Sequence, residues 1–127
     1  MHGSMAAMRI VATATMQWAR ERIANQITVK DLARHNGVSP RTLARRFTDS
    51  TGTTPMAWLT HERLQLAQQL LERTDLPIAA VARQAGLGSP LTLRRHFERQ
   101  LDMTPSTYRR AFRRTALPAP PRQPRQP

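Results

Sequence analysis

The sequence contains nearly the same nine residues twice, as SPRTLARRF at positions 39–47 and as SPLTLRRHF at positions 89–97. The flanking residues repeat as well: Gly37 matches Gly86 before the segment, and Thr54-Pro55 matches Thr104-Pro105 after it. The offset is 49 before the segment and 50 from its first residue onward, so the second copy has a turn that is one residue longer. Because two copies are too few for a stacked solenoid, the repeat predicts two related units in one short chain.

The prolines indicate where helices start. Five of the ten lie in the last thirteen residues, and four of the others directly follow a hydroxyl residue: Ser39-Pro40, Thr54-Pro55, Ser89-Pro90 and Thr104-Pro105. A hydroxyl at the N-cap accepts a hydrogen bond from the first turn, and proline at the next position has a preset φ and no N–H to leave unpaired. Between these starts the apolar spacing is helical, with no sustained alternation. The sequence therefore predicts an all-α fold.

We predict seven helices, at about residues 5–24, 29–36, 40–50, 55–73, 78–85, 90–101 and 105–114. Residues 1–5, MHGSM, resemble a cleaved tag and vector scar, and the proline-rich residues 115–127 are predicted to be disordered. The domain organisation that follows is a first helix-turn-helix subdomain at 6–54, a linking helix at 55–73 and a second helix-turn-helix subdomain at 74–114.

Each copy has the order of residues that is typical of a helix-turn-helix. A short helix carries a small residue, Ala33 or Ala82, where a crossing helix must approach closely. Glycine then turns the chain, because Gly37 or Gly86 adopts a left-handed conformation at little cost. A Ser-Pro pair starts the second helix, which carries the arginines.

These arginines lie on one predicted face of each second helix. Leucine and phenylalanine four residues apart face the core, as Leu43 with Phe47 and as Leu93 with Phe97. The residues left on the other face define the first stripe, Arg41, Ala44, Arg45 and Thr48, and the second stripe, Leu91, Arg94, Arg95 and Glu98. A cationic stripe near a helix N-terminus suits a DNA major groove, because arginine can bond bidentately to guanine and the helix end favours phosphate.

Charge and composition narrow the function classes. Twenty Lys and Arg against eight Asp and Glu give a net charge of +12, which indicates a polyanionic partner. The absence of cysteine excludes a thiol nucleophile and thiolate metal sites and fits a cytoplasmic protein, and no apolar run is long enough to span a membrane. His35, His61 and His96 are far apart and form no H-E-x-x-H motif, so we expect no metal, no cofactor and no enzymatic activity.

The fourth helix sets the spacing between the two units. Nineteen residues at about 1.5 Å each span roughly 28 Å. With its flanking turns, this helix could hold the two stripe-bearing helices about one DNA turn, roughly 34 Å, apart. The chain is therefore expected to read two segments of the major groove by itself.

Three segments carry a family resemblance: RLQLAQQLL in the linking helix, IAAVARQAGLGSPLTLRRHF and the closing TPSTYRRAF. They resemble the DNA-binding domain of AraC/XylS-family bacterial transcription regulators, over about residues 8–114. The resemblance implies a seven-helix fold whose third and sixth helices enter adjacent major-groove segments of a promoter site. It also implies a fragment or stand-alone form, because family members usually carry an N-terminal effector domain.

The stripes and the resemblance together assign candidate DNA-contacting residues. Base reading is predicted for Arg41, Arg45, Leu91, Arg94 and Arg95. Phosphate contact or positioning is predicted for Thr28, Ser39, Pro40, Thr42, Arg46, Ser89, Pro90, Thr92 and His96. Leu91 stands where the family commonly has a polar reader, so a thymine-methyl contact is expected there. Leu87 replaces a usual aromatic residue, which predicts looser packing of the second turn.

Several alternatives stay open. The arginines could form a solvated basic face, the domain could be a low-specificity architectural DNA binder, or it could be an adaptor that docks on RNA polymerase. Any effector ligand would act only through a domain that this sequence lacks. Arg109, Arg110, Arg113 and Arg114 could contact phosphates or simply favour a helix C-terminus. Arg63, midway along the linking helix, is predicted to be structural.

Overall fold

The computed structural model describes the backbone of residues 2–116, and within that range it consists of seven helices without a strand. The helices are α1 (His2–Glu21), α2 (Val29–Asn36), α3 (Pro40–Thr51), α4 (Pro55–Arg73), α5 (Ile78–Gln84), α6 (Pro90–Leu101) and α7 (Pro105–Ala116). This confirms the all-α prediction and the number of helices.

The largest boundary differences lie at the two ends of the chain. Helix α1 begins at His2, so residues 2–4, which we assigned to a tag scar, continue the helix. It ends at Glu21 rather than near residue 24, because the chain then forms tight turns in which Arg22 N–H donates to the Ala19 carbonyl at 3.0 Å. Helix α7 includes residues 115 and 116 of the predicted tail. Residues 117–127, the rest of that tail, lie outside the described residues.

Hydroxyl caps start the helices as predicted. The side chains of Ser39, Thr54, Ser89 and Thr104 each accept a hydrogen bond from a backbone N–H three residues later, at 3.1 to 3.2 Å. In α3, α4 and α6 the cap backbone is extended and proline occupies the first turn. These local interactions explain why four of the prolines are compatible with an all-helical chain.

Helix α2 has a reciprocal cap. The Thr28 side chain accepts from the Asp31 backbone N–H at 3.1 Å, and the Asp31 carboxylate accepts from the Thr28 N–H at 2.9 Å. Hydrogen bonds from the backbone and then the side chain of Thr28 lower the pKa of Asp31 below its ordinary value.

Thr28→Ala is expected to lower the free energy of unfolding by about 1 kcal/mol, because the backbone N–H of Asp31 loses its hydrogen-bond acceptor. Urea unfolding followed by circular dichroism measures this change.

The carboxylate half of this cap adds a pH dependence. The pKa of Asp31 is lower in the folded protein than its ordinary value. The contribution of its carboxylate to the free energy of unfolding is therefore complete above the ordinary carboxyl pKa, and it is lost as the pH falls through the folded pKa. The stability difference between wild type and Asp31→Ala should therefore be larger at neutral pH than at about pH 3. An equal difference at both pH values would contradict the charged capping interaction.

Two separate cores divide the fold, and α4 contributes to both. The first core contains Leu32, Leu43, Phe47, Trp58 and Leu59 together with buried residues of α1. The second core contains Leu64, Leu71, Val81, Leu93 and Phe97 and is joined by Tyr108 of α7. The two cores thus lie on opposite halves of the linking helix.

Arginines of α7 attach that helix to the carboxyl end of α4. Arg109 donates to the carbonyls of Leu71, Thr74 and Leu76 at 3.1, 3.1 and 2.8 Å. Arg113 pairs with Asp75 at 2.6 Å and donates to the Thr74 carbonyl. These two arginines therefore cap α4, whereas Arg110 and Arg114 are exposed. None of the helices in the described range is both long and apolar enough to cross a membrane.

Candidate nucleic-acid interface

The two helix-turn-helix turns have matching backbone geometry. Val38 N–H donates to the Ala33 carbonyl at 3.0 Å, and Leu87 N–H donates to the Ala82 carbonyl at 2.8 Å. Ala33 and Ala82 are fully buried, as the close helix approach requires. The glycine between them and the next helix has a positive φ in both copies, +67° at position 37 and +80° at position 86.

The one-residue difference between the copies is located at Gly88. This residue has a φ of +82°, which glycine adopts without steric cost, and the Ser89 N–H behind it donates to the Leu87 carbonyl at 2.9 Å. We expected looser packing of this turn because Leu87 replaces an aromatic residue. In the structure Leu87 is buried within the second core.

Helix α3 presents the first stripe to solvent. Leu43 and Phe47 are buried, whereas Arg41, Arg45 and Thr48 are exposed and Ala44 is half-buried. Arg46 is exposed beside this stripe. Among the described residues, the ion pairs do not include Arg41, Arg45 or Arg46, so these guanidinium groups have no carboxylate within 4.0 Å. The predicted readers of the first copy are thus accessible to a ligand.

Helix α6 presents the second stripe with a different chemistry. Leu91 is 54% exposed and is the one large apolar side chain that stands out in solvent among the described residues. Arg94 lies 3.8 Å from Glu98, one turn later, and both side chains are largely exposed. Arg95 is exposed as well. The second stripe therefore combines an apolar group, an ion-paired arginine and a second arginine.

The N-terminal ends of α5, α6 and α7 meet beside the second stripe. An open cleft of about 540 Å³ lies between them, lined by Ile78, Pro90, Leu91, Arg94, Thr104, Pro105 and Ser106. Two predicted base readers and one predicted positioning residue, Pro90, thus share a single concave surface. Helix α5 starts after Pro77 without a side-chain capping hydrogen bond, unlike α2, whose start is closed by Thr28 and Asp31.

The predicted phosphate-contacting hydroxyls already have partners in the caps. Ser39 donates to the Thr42 hydroxyl at 2.9 Å and accepts from the Thr42 N–H, and Ser89 and Thr92 repeat this pair at 3.1 and 3.2 Å. Both serines are exposed, and both threonines are half-buried. These residues organise the first turn of α3 and α6, beside which Arg41, Arg45 and Arg95 are exposed.

His96 occupies the place in the second copy that Arg46 occupies in the first. It is half-buried, and burial followed by the nearby charge of Arg99 lowers the pKa of its imidazole below the ordinary value. At neutral pH the ring is therefore mainly uncharged. It can donate a neutral N–H to a phosphate oxygen but does not supply the positive charge that Arg46 does.

The structural role predicted for Arg63 is confirmed. The sequence analysis did not identify its hydrogen-bond partners. The side chain is only 9% exposed, and its guanidinium donates to the carbonyls of Ile23 at 3.0 Å and Asn25 at 2.7 Å. Burial lowers the pKa of this group. The two acceptors lie in the loop between α1 and α2, forty residues earlier, so no local signal in the sequence indicates them.

The described side chains offer no metal centre, because no group of three His, Cys, Asp or Glu residues among them lies close enough to hold an ion. His35 instead stacks on Trp18, with ring centroids 4.6 Å apart, and Arg22 lies over the same indole at 4.4 Å. The chemistry that the surface does offer is a set of arginine donors on two matching helices.

This arrangement of two helix-turn-helix units has counterparts among known proteins. A family described as a helix-turn-helix domain matches residues 32–111. The activator RclR of Escherichia coli K12 is 36% identical over 103 residues, which cover 81% of this chain and 36% of RclR. The regulatory protein SoxS of Salmonella typhimurium LT2 is 33% identical over 105 residues, which cover 83% of this chain and 97% of SoxS.

Solved structures give the same result. The DNA-binding domain of the global transcriptional factor AdpA, in complex with a target DNA, superposes with a TM-score of 0.81 at 39% identity, covering 85% of this chain and 97% of that one. An AraC-type regulator from Chromobacterium violaceum superposes with a TM-score of 0.77 at 26% identity, covering 90% and 99%.

The chain spans about a third of the length of several relatives, including RclR and an AraC-like regulator of Streptomyces lividans, of which 33% is covered. The segment that matches the family, residues 32–111, includes both α3 and α6. The matched family, the identity to these regulators and the superposition on a DNA-bound domain agree with the geometry of α2–α3 and α5–α6. The chain therefore belongs to the AraC-type helix-turn-helix family and is a DNA-binding domain of a transcription regulator.

Proposed function

We propose that this domain binds a specific duplex site by inserting α3 and α6 into two successive segments of the major groove. The observation that supports this most directly is the repetition of one geometry: each helix starts at a Ser-Pro cap, buries Leu and Phe, and exposes arginines on the remaining face. The similarity to a domain in complex with its target DNA supports the same proposal.

The two helices are proposed to read different bases. Arg41 and Arg45 have no competing carboxylate among the described residues and can each bond a guanine through two N–H groups. In α6 the exposed Leu91 suits the methyl group of thymine. Arg95 is exposed and forms no ion pair within the described part of the chain, so it provides a cationic reader. Arg94 forms an ion pair with Glu98, so it can read a base only when that ion pair breaks.

The remaining site residues are proposed to position the helices on the phosphates. The cap segments and the charged or polar groups beside them supply these contacts: Thr28, Ser39, Pro40, Thr42, Arg46, Ser89, Pro90, Thr92 and His96. The hydroxyls act through the ordered first turn, whose N–H groups face an approaching phosphate, and Arg46 adds charge. The net charge of +12 supports a large electrostatic share of the affinity.

Selection from random duplexes, followed by binding at about 50 and 200 mM salt, tests this function. We expect two unequal half-sites about one helical turn apart, and affinity that falls with salt at a slope near −0.9 per phosphate contacted. The preference over a scrambled duplex should persist at the higher salt. Equal recovery of all sequences would instead indicate an architectural binder, and absence of DNA binding would indicate an adaptor for another protein.

Contact with RNA polymerase is proposed as a partner interaction beyond DNA, since RclR is named a transcriptional activator. Control by an effector is proposed to require a domain outside this sequence, because the chain matches only 36% of RclR. Both are separate from DNA recognition, and the selection experiment above is independent of them.

A further inference from the structure

One residue in the middle of the linking helix makes contacts that reach into both subdomains. Arg63 lies near the middle of α4 and donates to the carbonyls of Ile23 and Asn25, which belong to the loop between α1 and α2. Ile23 also packs against the first core. The buried guanidinium therefore fastens the centre of α4 to a part of the first subdomain that is remote in sequence.

The turn of the second helix-turn-helix meets the same group. A Cβ atom at Gly86 would overlap the Ile23 carbonyl oxygen and would lie 2.6 Å from the Nε of Arg63. Gly37, at the equivalent place in the first copy, has a similar φ but nothing within 4 Å of such an atom. Glycine at 37 is thus needed only for conformation, whereas glycine at 86 is also needed for close contact with the first subdomain.

We call the contact among Arg63, the Ile23 carbonyl and Gly86 the inter-subdomain joint. Without this joint, the two cores would be held together mainly by α4. Bending or twisting of this helix would then rotate one core relative to the other. The joint adds a second attachment. It acts on the turn at Gly86, four residues before Pro90, the first residue of α6.

We infer that Arg63 and Gly86 are positioning residues that set the orientation of α6 relative to α3, and hence the spacing of half-sites that the domain accepts. This inference depends on the proposed two-groove binding. One inserted base pair moves a half-site by about 3.4 Å and turns it by about 35° around the DNA axis. A rigid pair of recognition helices cannot follow that change, whereas a pair connected by α4 alone can follow part of it.

The test compares the selected duplex with versions that have one base pair added or removed between the half-sites, and with duplexes in which one half-site is scrambled. Wild type is expected to lose about tenfold or more in affinity when the spacing changes. For Arg63→Met and Gly86→Ala the loss is expected to fall below about threefold, with affinity for the duplexes that keep one half-site within about twofold of wild type. Arg63→Lys, which keeps a charge and a donor, should restore part of the spacing preference.

Gly37→Ala is the matched control, because it imposes a similar left-handed strain without a steric contact. It should keep the spacing preference of wild type. The joint is overturned if Arg63→Met and Gly86→Ala retain the wild-type ratio, or if Gly37→Ala reduces it equally. Wild type without any spacing preference would instead overturn two-groove binding itself. Circular dichroism identifies any variant that does not fold. If Gly86→Ala or Gly37→Ala does not fold, the spacing preference of Arg63→Met alone tests the joint.

Discussion

Arg45→Ala is expected to weaken binding to the selected site by about 1–3 kcal/mol, or roughly 5- to 150-fold. Arg45 is exposed on the first stripe, one turn after Arg41. Its guanidinium can form two hydrogen bonds to one guanine, and alanine leaves those base acceptors desolvated and unpaired. The loss should be accompanied by a relaxed preference at a single base pair, measured by titrating the four duplexes that differ only there.

Arg46→Ala is the matched control for that experiment, since it removes the same charge from the neighbouring position. If Arg46 contacts a phosphate, its loss should weaken all duplexes to a similar extent and reduce the salt slope by about 1. Arg45 is not a base reader if its replacement gives this same uniform pattern. A specific effect of Arg46→Ala would exchange the two proposed roles.

Phe97→Ala is expected to lower the free energy of unfolding by about 3–5 kcal/mol. The side chain is fully buried in the second core, and its ring meets Tyr108 edge-on with centroids 5.4 Å apart. Alanine leaves a cavity among α4, α5 and α6, which a short helical unit fills poorly. Because a domain of this size is stable by only about 5–15 kcal/mol, this change removes a large share of the total.

Two optical signals distinguish the halves of the molecule in this variant. Trp18 and Trp58 are the two tryptophans of the sequence and both pack in the first core, so tryptophan fluorescence reports that core, whereas far-UV circular dichroism reports all helices. In Phe97→Ala part of the circular dichroism signal should be lost at lower urea than the fluorescence signal. Phe47→Ala, the matched change in the first core, should shift the fluorescence transition. Coincident transitions in both variants would contradict separate cores.

The sequence alone predicted most of the helices and the composition of the stripes, because these depend on local interactions. Ser39, Thr54, Ser89 and Thr104 cap the turn directly after them, and the 3.6-residue period places Leu and Phe inward and arginine outward whatever lies opposite. The errors also have local causes. No proline or strong cap closes α1 at residue 5, so the helix continues back to His2.

Only the tertiary structure decided which arginines of α7 are available to a ligand and which carbonyls hold Arg63. Arg63 and Arg109 carry the same side chain as Arg45. However, their guanidinium groups donate hydrogen bonds to backbone carbonyls 33 to 40 residues away in the sequence. Likewise, Gly37 and Gly86 match in the repeat, but only Gly86 meets the opposite subdomain. Periodicity describes what a helix presents, whereas the partner that a side chain meets depends on how remote segments pack, and in this chain that packing also orients α6 relative to α3.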